Sequence, residues 1–518
     1  MISSVVANRL ARCTRVHDLL GIHARERAEQ VALQVRDTTL SYKALHTRVE
    51  RLAGQLLVSG LKPGERIALL AKNDPAFCEL MMAASRIRIV LVPINVRLAV
   101  PEVEFIVRDA DVRMLFVGSE FQATAALVGA SCSCVRSIVK ISDDGSYDGW
   151  LPADTPVGPT EVAFDNDILF QMYTSGTTGQ PKGALISQKN VLTVMRNGCA
   201  RLGPFDEKSI SLVCMPLFHI AGSSWLFFGL AVGCRSLLVV NIDPGAILDT
   251  FEQHRVSCTL LVPSVIHMIV TAAEAQHRTV PSLQTLAFGA SPMPTELLRR
   301  AQRVFPGTDF LHVYGMTETT GMFTSLPPDE LKGGRRLESC GLVFDDAAVR
   351  IVDPQGDEVS VGVVGEIICK TPQLMAGYWN RPQATVDAIQ DDWFHTGDAG
   401  SVDSGGFLYI RDRIKDLVIS GGENVYPAEV EGALLAHHAV AEVAVIGIPD
   451  ATWGEAVLAA VVPSTAAHID EDELKAFARE RLAGFKVPKR IERVDSLPRN
   501  AAGKVTKDVL RSRFTPQG

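Results

Sequence analysis

The sequence predicts an α/β protein in which a large N-terminal domain of α/β layers, with a β-rich subdomain, is followed by a small mobile α+β C-terminal domain. The first observation is length, since 518 residues correspond to about three structural units. The second is an alternation, from residue 40 onward, of apolar residues at helical spacing with short apolar runs typical of parallel strands. The third is a change after about residue 340, where Gly, Pro and Asp turns separate short strands.

The N-terminal elements follow from apolar spacing and from turn residues. Leu45, Val49, Leu52 and Leu56 repeat at helical spacing in a segment that Gly60 stops. The first predicted elements are a helix over 42–59, a strand over 66–71, a helix over 75–84 and a strand over 90–94. Further buried strands are predicted over 168–172, 184–186, 211–215, 236–240 and 258–262. This order favours α/β layers with parallel strand pairing.

The C-terminal elements divide at a charged segment over 411–416. The strands predicted before it lie over 348–352, 365–369 and 406–410. The elements predicted after it are a helix from Pro427, strands over 443–448 and 457–462, and a helix over 471–482. The predicted domains are therefore 1–411, which includes the β-rich subdomain at about 340–411, a hinge at 412–416 and a mobile domain at 417–518.

Composition excludes several classes of protein. Hydrophobic residues make up 47% and charged residues 21%, which is ordinary for a soluble globular protein and excludes disordered, collagen-like and coiled-coil chains. The net charge of −8 argues against a general nucleic-acid binder. The longest apolar stretch, at 225–234, is about half of the ~20 residues that a membrane span needs. The sequence therefore predicts no nucleic-acid partner and no transmembrane segment.

The cysteines predict a reducing compartment. Ten are scattered along the chain without the spacing of a zinc site or of a disulfide scaffold. Free or buried thiols in a cytoplasmic protein are the expectation. A homodimer is compatible with the sequence, which does not specify an oligomeric state.

The strongest chemical signal is residues 173–183, with the sequence YTSGTTGQPKG. Three glycines allow a tight turn whose backbone N–H groups approach an anion, four Ser and Thr hydroxyls add donors, and Lys182 adds a positive charge. The segment is not a P-loop, because Gln180 and Pro181 separate the second glycine from the lysine. It predicts a phosphate-binding loop; a glycine-rich surface turn is the alternative.

This loop resembles the phosphate loop of the adenylate-forming superfamily, which includes acyl-CoA synthetases, luciferases and the adenylation domains of peptide synthetases. Five further motifs resemble those of the family: the adenine and magnesium motif at 314–318 (YGMTE), the ribose motif at 393–398 (WFHTGD), the hinge at 412–416 (DRIKD), the thioester loop at 420–427 (SGGENVYP) and the catalytic-lysine motif at 497–504 (LPRNAAGK). The resemblance covers roughly residues 15–512.

The resemblance implies a set of site residues. The residues implied to bind ATP are Thr174, Ser175, Gly176, Thr177, Thr178, Gly179, Lys182, Gly289, Ala290, Ser291, His312, Val313, Tyr314, Gly315, Met316, Thr317, Asp398, Arg413 and Lys504. The implied catalytic residues are Lys504, Glu318 and His219, with Glu318 as the Mg²⁺ ligand. The implied acyl pocket contains His219, Ala221, Trp225 and Val313. Lys415 is implied as the hinge pivot, and Gly421 and Gly422 as the loop for thioester formation with coenzyme A.

Several of these residues also fit their roles chemically. Glu318 supplies a hard oxygen ligand for Mg²⁺, Asp398 can accept hydrogen bonds from ribose hydroxyls, and Tyr314 offers a flat face for adenine. Three of the implied site residues have a structural alternative. It is a core aromatic for Tyr314 and Trp225, and a buried histidine in an apolar run for His219. For Trp225 the pocket interpretation predicts that short-to-medium or aromatic acids are preferred to very long ones.

The predicted function is that of an ATP-dependent acid–thiol ligase. Such an enzyme activates a fatty or aryl carboxylic acid as acyl-AMP, releases pyrophosphate and transfers the acyl group to coenzyme A. The alternatives are an acyl- or amino-acid adenylating enzyme that uses another carrier, and a non-catalytic nucleotide-binding protein on the same scaffold. One stretch departs from the family pattern: before the strand at 90–94, where the family usually has a Gly-Ala pair, this chain has Arg86-Ile87-Arg88-Ile89. A change in local packing is expected there.

Overall fold

The structure, a computed structural model, describes residues 4–141, 146–151, 167–174, 180–420, 423–450, 453–464, 470–500 and 505–515. The chain divides into two compact units, Met1–Ala348 with Lys370–Phe394, and Val349–Cys369 with His395–Gly518. The predicted α/β class is confirmed, with a large first unit and a smaller second unit. The predicted hinge at 412–416 falls within the second unit, and the domain boundaries proposed from sequence stay predictions.

The described part of the chain forms helices throughout both units. They are α1 Ser4–Ala11, α2 Val16–Glu26, α3 Tyr42–Val58, α4 Pro75–Ile87, α5 Val100–Asp109, α6 Gln122–Ser131, α7 Ser146–Trp150, α8 Gln188–Arg201, α9 Ile220–Val232, α10 Pro244–His254, α11 Pro263–Ala275, α12 Thr295–Val304, α13 Pro328–Lys332, α14 Pro382–Ala388, α15 Pro427–Leu435, α16 Glu471–Arg479 and α17 Lys507–Phe514.

The strands alternate with these helices in the first unit and dominate the second. They are β1 Val31–Val35, β2 Thr38–Ser41, β3 Arg66–Leu70, β4 Val90–Pro93, β5 Val112–Gly118, β6 Ser137–Ile141, β7 Ile168–Thr174, β8 Lys182–Ser187, β9 Ile210–Val213, β10 Arg235–Leu238, β11 Cys258–Leu261, β12 Thr285–Gly289, β13 Asp309–Met316, β14 Gly321–Leu326, β15 Ser339–Val343, β16 Ala348–Val352, β17 Gly365–Lys370, β18 Gly377–Tyr378, β19 Ile389–Gln390, β20 Trp393–Val402, β21 Leu408–Arg413, β22 Val418–Ser420, β23 Glu423–Val425, β24 Val440–Asp450, β25 Gly454–Pro463 and β26 Arg490–Arg493.

Two sheets organise the first unit. In one, consecutive neighbours run in the order β15-β14-β13-β12-β11-β9-β10-β1-β2, and the strands from β13 to β1 are all parallel. The other has the order β18-β8-β7-β4-β3-β5-β6. Because the carboxyl ends of parallel strands meet at one edge, the segments that follow β9, β12 and β13 lie along the same edge, where α/β proteins usually bind ligands.

The helix α3 shows why the sequence pattern is informative here. Its predicted apolar positions are all fully buried, and the hydroxyl of Ser41 caps the helix by accepting a hydrogen bond from the backbone N–H of Ala44 at 3.1 Å. The observed helix, Tyr42–Val58, ends one residue before the predicted end at 59. Burial of one leucine-rich face therefore fixes the helix mainly against α2 and α4, and also against β1 and β2.

The stretch that departs from the family pattern ends α4. Arg88 takes a left-handed backbone conformation, with φ of 62°, a region that ordinarily favours glycine. Its guanidinium forms two hydrogen bonds with the Asp167 carboxylate, at 2.8 and 3.1 Å from Nε and Nη2. A bidentate, half-buried ion pair thus accompanies a strained backbone position.

The second unit contains two groups of strands. One has the order β16-β17-β20-β21, and the other has the order β23-β22-β25-β24 with β26 paired to β25. The strand at β21 extends to Arg413, beyond the predicted end at 410, because Asp412 and Arg413 still pair with β20 after a shift of register at residues 399–400. A short 3-10 helix, Ile414–Asp416, follows it. Among the described residues, the helices lack the length and apolar character that a membrane crossing requires.

Candidate active site

The carboxylate of Glu318 brings together three separate segments of the first unit. Glu318 lies in the turn between β13 and β14 and is 9% exposed. Its Oε1 accepts a hydrogen bond from the hydroxyl of Tyr378 in β18, at 2.9 Å, and one from Thr174 at the end of β7, at 3.3 Å. The adenine and magnesium motif and the phosphate-loop motif, more than 140 residues apart in the chain, therefore meet at this carboxylate.

Lys182 lies next to the same group of residues. It is the first residue of β8 and pairs with Thr174 across the β7–β8 ladder. Its Nζ lies 5.2 Å from the centre of the Tyr378 ring. One carboxylate, two hydroxyls and one ammonium group thus occupy one corner of the first unit, a combination suited to a magnesium-bound phosphate.

Tyr378 acts as a hydrogen-bond donor to Glu318. Burial raises the pKa of its hydroxyl, and the neighbouring Glu318 carboxylate raises this pKa further, so the phenol stays protonated. Tyr378 is not among the residues predicted from the sequence, because 60 positions separate it from Glu318 and only the pairing of β18 with β8 brings them together. A tyrosine after a glycine, at Gly377, is by itself no signal of such a contact.

In the predicted adenylation reaction, replacing Tyr378 with phenylalanine should raise the Mg²⁺ concentration that half-maximal activity requires by about tenfold. A hydrogen bond to a charged group contributes about 1.5–3 kcal/mol, and 1.36 kcal/mol corresponds to about a tenfold change. The measurement is the adenylation rate against Mg²⁺ concentration. Tyr147→Phe is the matched control, since it removes a hydroxyl that donates to the Glu79 carboxylate at 2.9 Å. An equal Mg²⁺ effect in both variants would contradict the role of Tyr378.

A network around Asp109 fixes the segment that carries Tyr378. The Asp109 carboxylate accepts a hydrogen bond from Tyr173 at 2.6 Å and pairs with Arg381 at 2.9 Å. Its backbone oxygen accepts a hydrogen bond from Nε1 of Trp379 at 2.8 Å. Two residues that follow Tyr378 are therefore anchored to Asp109 at the end of α5, which Tyr173 links to β7.

Two glycines of the predicted ATP site allow close backbone approach. A Cβ on Gly289 would lie 2.2 Å from the backbone oxygen of Val313, and one on Gly315 would lie 1.9 Å from that of Gly321. No side chain fits at either position. After β12, Ala290 takes a left-handed φ of 65° and leads into Ser291. These features explain why glycine stands at both positions in the sequence.

The remaining predicted ATP residues of β13 are largely buried. The Tyr314 ring is 8% exposed and packs on Phe323 with ring centres 5.2 Å apart. His312 stacks on Phe288 at 4.8 Å, and its Nδ1 donates a hydrogen bond to the backbone oxygen of Ser339 at 2.7 Å. Burial lowers the pKa of His312 to about 4, so its imidazole is neutral at pH 7.

Met316 and Thr317 begin the turn that carries Glu318. The backbone N–H of Met316 donates a hydrogen bond to the Thr319 hydroxyl at 3.0 Å, and Thr319 in turn donates to the backbone oxygen of Gly321 at 2.7 Å. Side-chain bonds of this kind fix a short turn. The turn therefore holds Glu318 at the carboxyl end of β13.

His219 caps the helix of the predicted acyl pocket. Its Nδ1 accepts a hydrogen bond from the backbone N–H of Ala221 at 3.2 Å, at the start of α9. Trp225, one turn further, is 1% exposed and stacks on Phe205 with ring centres 5.6 Å apart and an edge contact with Phe228 at 6.1 Å. The indole therefore packs among aromatic core residues, and its place in an acyl pocket stays a prediction.

In the second unit, two predicted ribose residues pair with each other. Asp398 in β20 lies opposite Arg413 in β21, and Nε of Arg413 lies 2.8 Å from Oδ1 of Asp398. Asp398 is 4% exposed. Next to them, Asp412 accepts a hydrogen bond from the backbone N–H of Ala428 at 2.7 Å. Lys415 lies in the 3-10 helix that follows.

Some of the predicted site residues lie outside the described residues. They are Ser175, Gly176, Thr177, Thr178 and Gly179 of the phosphate loop, Gly421 and Gly422 of the thioester loop, and Lys504. The described neighbours of Lys504 are fixed, since Arg499 and Val505 form an antiparallel bridge and the backbone N–H of Thr506 donates to the oxygen of Pro498 at 2.8 Å.

Comparison with protein-family models gives two matches. Residues 21–379 match the model described as AMP-binding enzyme, and residues 429–504 match the AMP-binding enzyme C-terminal domain.

Several characterised proteins are similar to the chain over nearly its whole length. A feruloyl-CoA synthase of Amycolatopsis is 38% identical, over 95% of this chain and 97% of the relative. The long-chain-fatty-acid–CoA ligase FadD13 of Mycobacterium tuberculosis is 33% identical, over 92% and 94%. A solved o-succinylbenzoate CoA synthetase of Bacillus subtilis, in complex with its acyl-adenylate intermediate, is 30% identical with a TM-score of 0.85, over 96% and 98%.

Proposed function

The chain belongs to the AMP-binding enzyme family, and from this premise we propose how its residues divide the work of an AMP-forming acid–thiol ligase. The enzyme activates a carboxylic acid, fatty or aryl, in two steps. A carboxylate oxygen attacks the α-phosphorus of ATP and pyrophosphate leaves, so that acyl-AMP forms. The sulfur of coenzyme A then attacks the acyl carbon, the thiol loses its proton, and AMP leaves.

The observation that carries the proposal is the convergence on Glu318. A carboxylate that is nearly buried, held by Thr174 and Tyr378 and close to Lys182, would hold a magnesium ion for the phosphates of ATP. When bound, that ion would offset the repulsion between two anionic reactants. Lys182 and Thr174 would bind the phosphates of ATP beside it. ATP, Mg²⁺ and coenzyme A are thus the proposed small molecules of the reaction.

Further polar residues have proposed roles in the reaction. Asp398 would accept hydrogen bonds from the ribose hydroxyls, and the paired Arg413 would hold its carboxylate in place and contact ribose or phosphate. Lys504 would bind the attacking carboxylate and the α-phosphate during adenylation. Lys415 is proposed as the pivot of the segment at 412–416, and the loop with Gly421 and Gly422 as the contact for coenzyme A. A homodimer and a cytoplasmic location stay predictions.

A panel of acids tests the proposed function directly. The protein is incubated with ATP, Mg²⁺ and either fatty or aryl acids, and pyrophosphate and AMP are measured with and without coenzyme A. We expect acid-dependent pyrophosphate release, and AMP formation that coenzyme A accelerates. Release of pyrophosphate without any effect of coenzyme A would favour transfer to another carrier. A carrier protein is one such acceptor, since a fatty acid–[acyl-carrier-protein] ligase of Streptomyces coeruleorubidus is 34% identical to this chain. No release with any acid would favour the nucleotide-binding alternative.

Replacing Trp225 with alanine should lower the free energy of unfolding by about 3–5 kcal/mol, because the indole packs between Phe205 and Phe228. The acyl-pocket assignment adds a second expectation. Space freed near the acid should allow longer alkyl chains, at about 0.8 kcal/mol for each added buried CH₂. Thermal unfolding and chain-length profiles measure the two effects separately. Lower stability with an unchanged acid preference would contradict the pocket assignment and leave Trp225 as a core residue.

A further inference from the structure

Three potential metal ligands lie close together on two helices, among residues to which the predicted active site assigns no role. His46 and Glu50 are four residues apart on α3, so their side chains leave the same face of the helix. His17 lies on α2, which packs against α3. Two ligands at positions i and i+4 of a helix, with a third from another element, are a typical arrangement of zinc sites.

The distances bring all three ligand atoms within reach of one ion. The ligand atoms of His17, His46 and Glu50 lie within 4.8 Å of one another. Nε2 of His17 is 2.8 Å from Oε1 of Glu50, and the two imidazole rings are 5.9 Å apart. Tetrahedral coordination with bonds of about 2.0–2.2 Å places ligand atoms roughly 3.3–3.6 Å apart, so small side-chain rotations complete the geometry.

The cluster is accessible to solvent, and both positively and negatively charged side chains lie near it. A cleft of about 370 Å³ reaches His17 and His46, and Arg12, Asp18 and Arg25 also line it. Three protein ligands leave one coordination position of a tetrahedral ion open. Water from the cleft, or a further protein atom beside it, can fill this position. Arg86 lies 3.3 Å from Oε1 of Glu50 and would repel a dication. The affinity should therefore be lower than that of a closed site with four protein ligands.

We propose that His17, His46 and Glu50 form a binding site for a transition-metal dication of the zinc type, which links α2 to α3. Two imidazoles and one carboxylate are ligands that Zn²⁺ and Co²⁺ accept, whereas Mg²⁺ prefers oxygen ligands in octahedral geometry. The site is thus chemically distinct from the magnesium site at Glu318. Metal bound there stabilises the folded chain by mass action, since the unfolded chain does not hold the three ligands together.

The test uses the full chain, treated with a chelator and then desalted, without ATP or Mg²⁺. Co²⁺ is the spectroscopic probe, and Zn²⁺ is the competitor. We expect one Co²⁺ per chain, a visible absorption of four- or five-coordinate cobalt that Zn²⁺ removes, and a melting temperature that rises with Zn²⁺ concentration. An absorption band from sulfur-to-cobalt charge transfer would instead assign the binding to cysteines and overturn the proposal.

Single substitutions distinguish Zn²⁺ binding at this site from binding at surface histidines. His46→Gln and Glu50→Gln should each weaken Zn²⁺ binding by about 100-fold or more, beyond the 10–100-fold that loss of an outer partner produces. His254→Gln, at the end of α10, is the matched control and should bind Zn²⁺ as the wild type does. Circular dichroism confirms that the variants fold. Unchanged binding in His46→Gln, or no Co²⁺ binding by the wild type, would overturn the proposal.

Discussion

Alanine in place of Lys504 should reduce the rate of acyl-AMP formation by about a hundredfold or more, while thioester formation from supplied acyl-AMP largely survives. A lysine that aligns the carboxylate with the α-phosphate stabilises charge that develops only in the adenylation transition state, and such an oriented charge contributes a few kcal/mol. Once acyl-AMP exists, the phosphoryl chemistry is complete. The lysine then has no remaining anionic pair to align.

Two half-reactions measure this effect. Acid-dependent pyrophosphate release reports the first step, and acyl-CoA formation from synthetic acyl-AMP reports the second. Lys475→Ala is the matched control, because it removes a lysine of the same unit that pairs with Glu471 along α16. Both half-reactions should be normal in this control. An equal loss of both half-reactions in a folded Lys504→Ala protein would show that the lysine is not specific to adenylation.

Glutamine in place of Glu318 should lower adenylation by about 10²–10³-fold and raise the Mg²⁺ requirement, with little change in melting temperature. Glutamine keeps the shape of the side chain, and its carbonyl oxygen can still accept the hydrogen bonds from Tyr378 and Thr174. Only the negative charge that would hold Mg²⁺ is lost. A purely structural carboxylate at this position would affect stability instead.

The adenylation rate at increasing Mg²⁺ concentration, together with thermal unfolding, tests the role of Glu318. Glu296→Gln, an exposed carboxylate in the first turn of α12, serves as the control for the loss of one negative charge. We expect it to match the wild type in both measurements. A Glu318→Gln protein with unchanged Mg²⁺ dependence would assign the residue a structural role.

Local sequence patterns predict a helix or strand well where the burial of one face determines its bounds. The helix at α3 has a single buried face at helical spacing, so its bounds could be read within one residue. The end of β21 could not be read, because the charged residues up to Arg413 have the composition of a linker. Their strand conformation results from pairing with β20, a long-range contact that no local pattern contains.

The same distinction applies to the candidate site. Glu318 and Lys182 could be predicted because they stand in motifs with characteristic neighbours. Tyr378 could not, because its contact with Glu318 depends on the pairing of β18 with β8. For Trp225 the sequence leaves both a pocket role and a core role open. What the structure adds is the contact of its ring with Phe205 and Phe228.

Because of the ion pair at the end of α4, the effect of a mutation at Asp167 depends on the residue that stands at 88. Arg88 occupies a left-handed position that costs an ordinary residue about 1–3 kcal/mol, and Asp167 anchors its side chain from a distant part of the chain. Loss of Asp167 alone would leave a half-buried guanidinium without its bidentate partner in an unfavourable backbone conformation. With glycine at 88 no guanidinium is left behind and the left-handed conformation is unstrained, so the loss of Asp167 should cost less than it does beside arginine. The two positions are therefore expected to be epistatic, because the cost of losing Asp167 depends on the residue at 88.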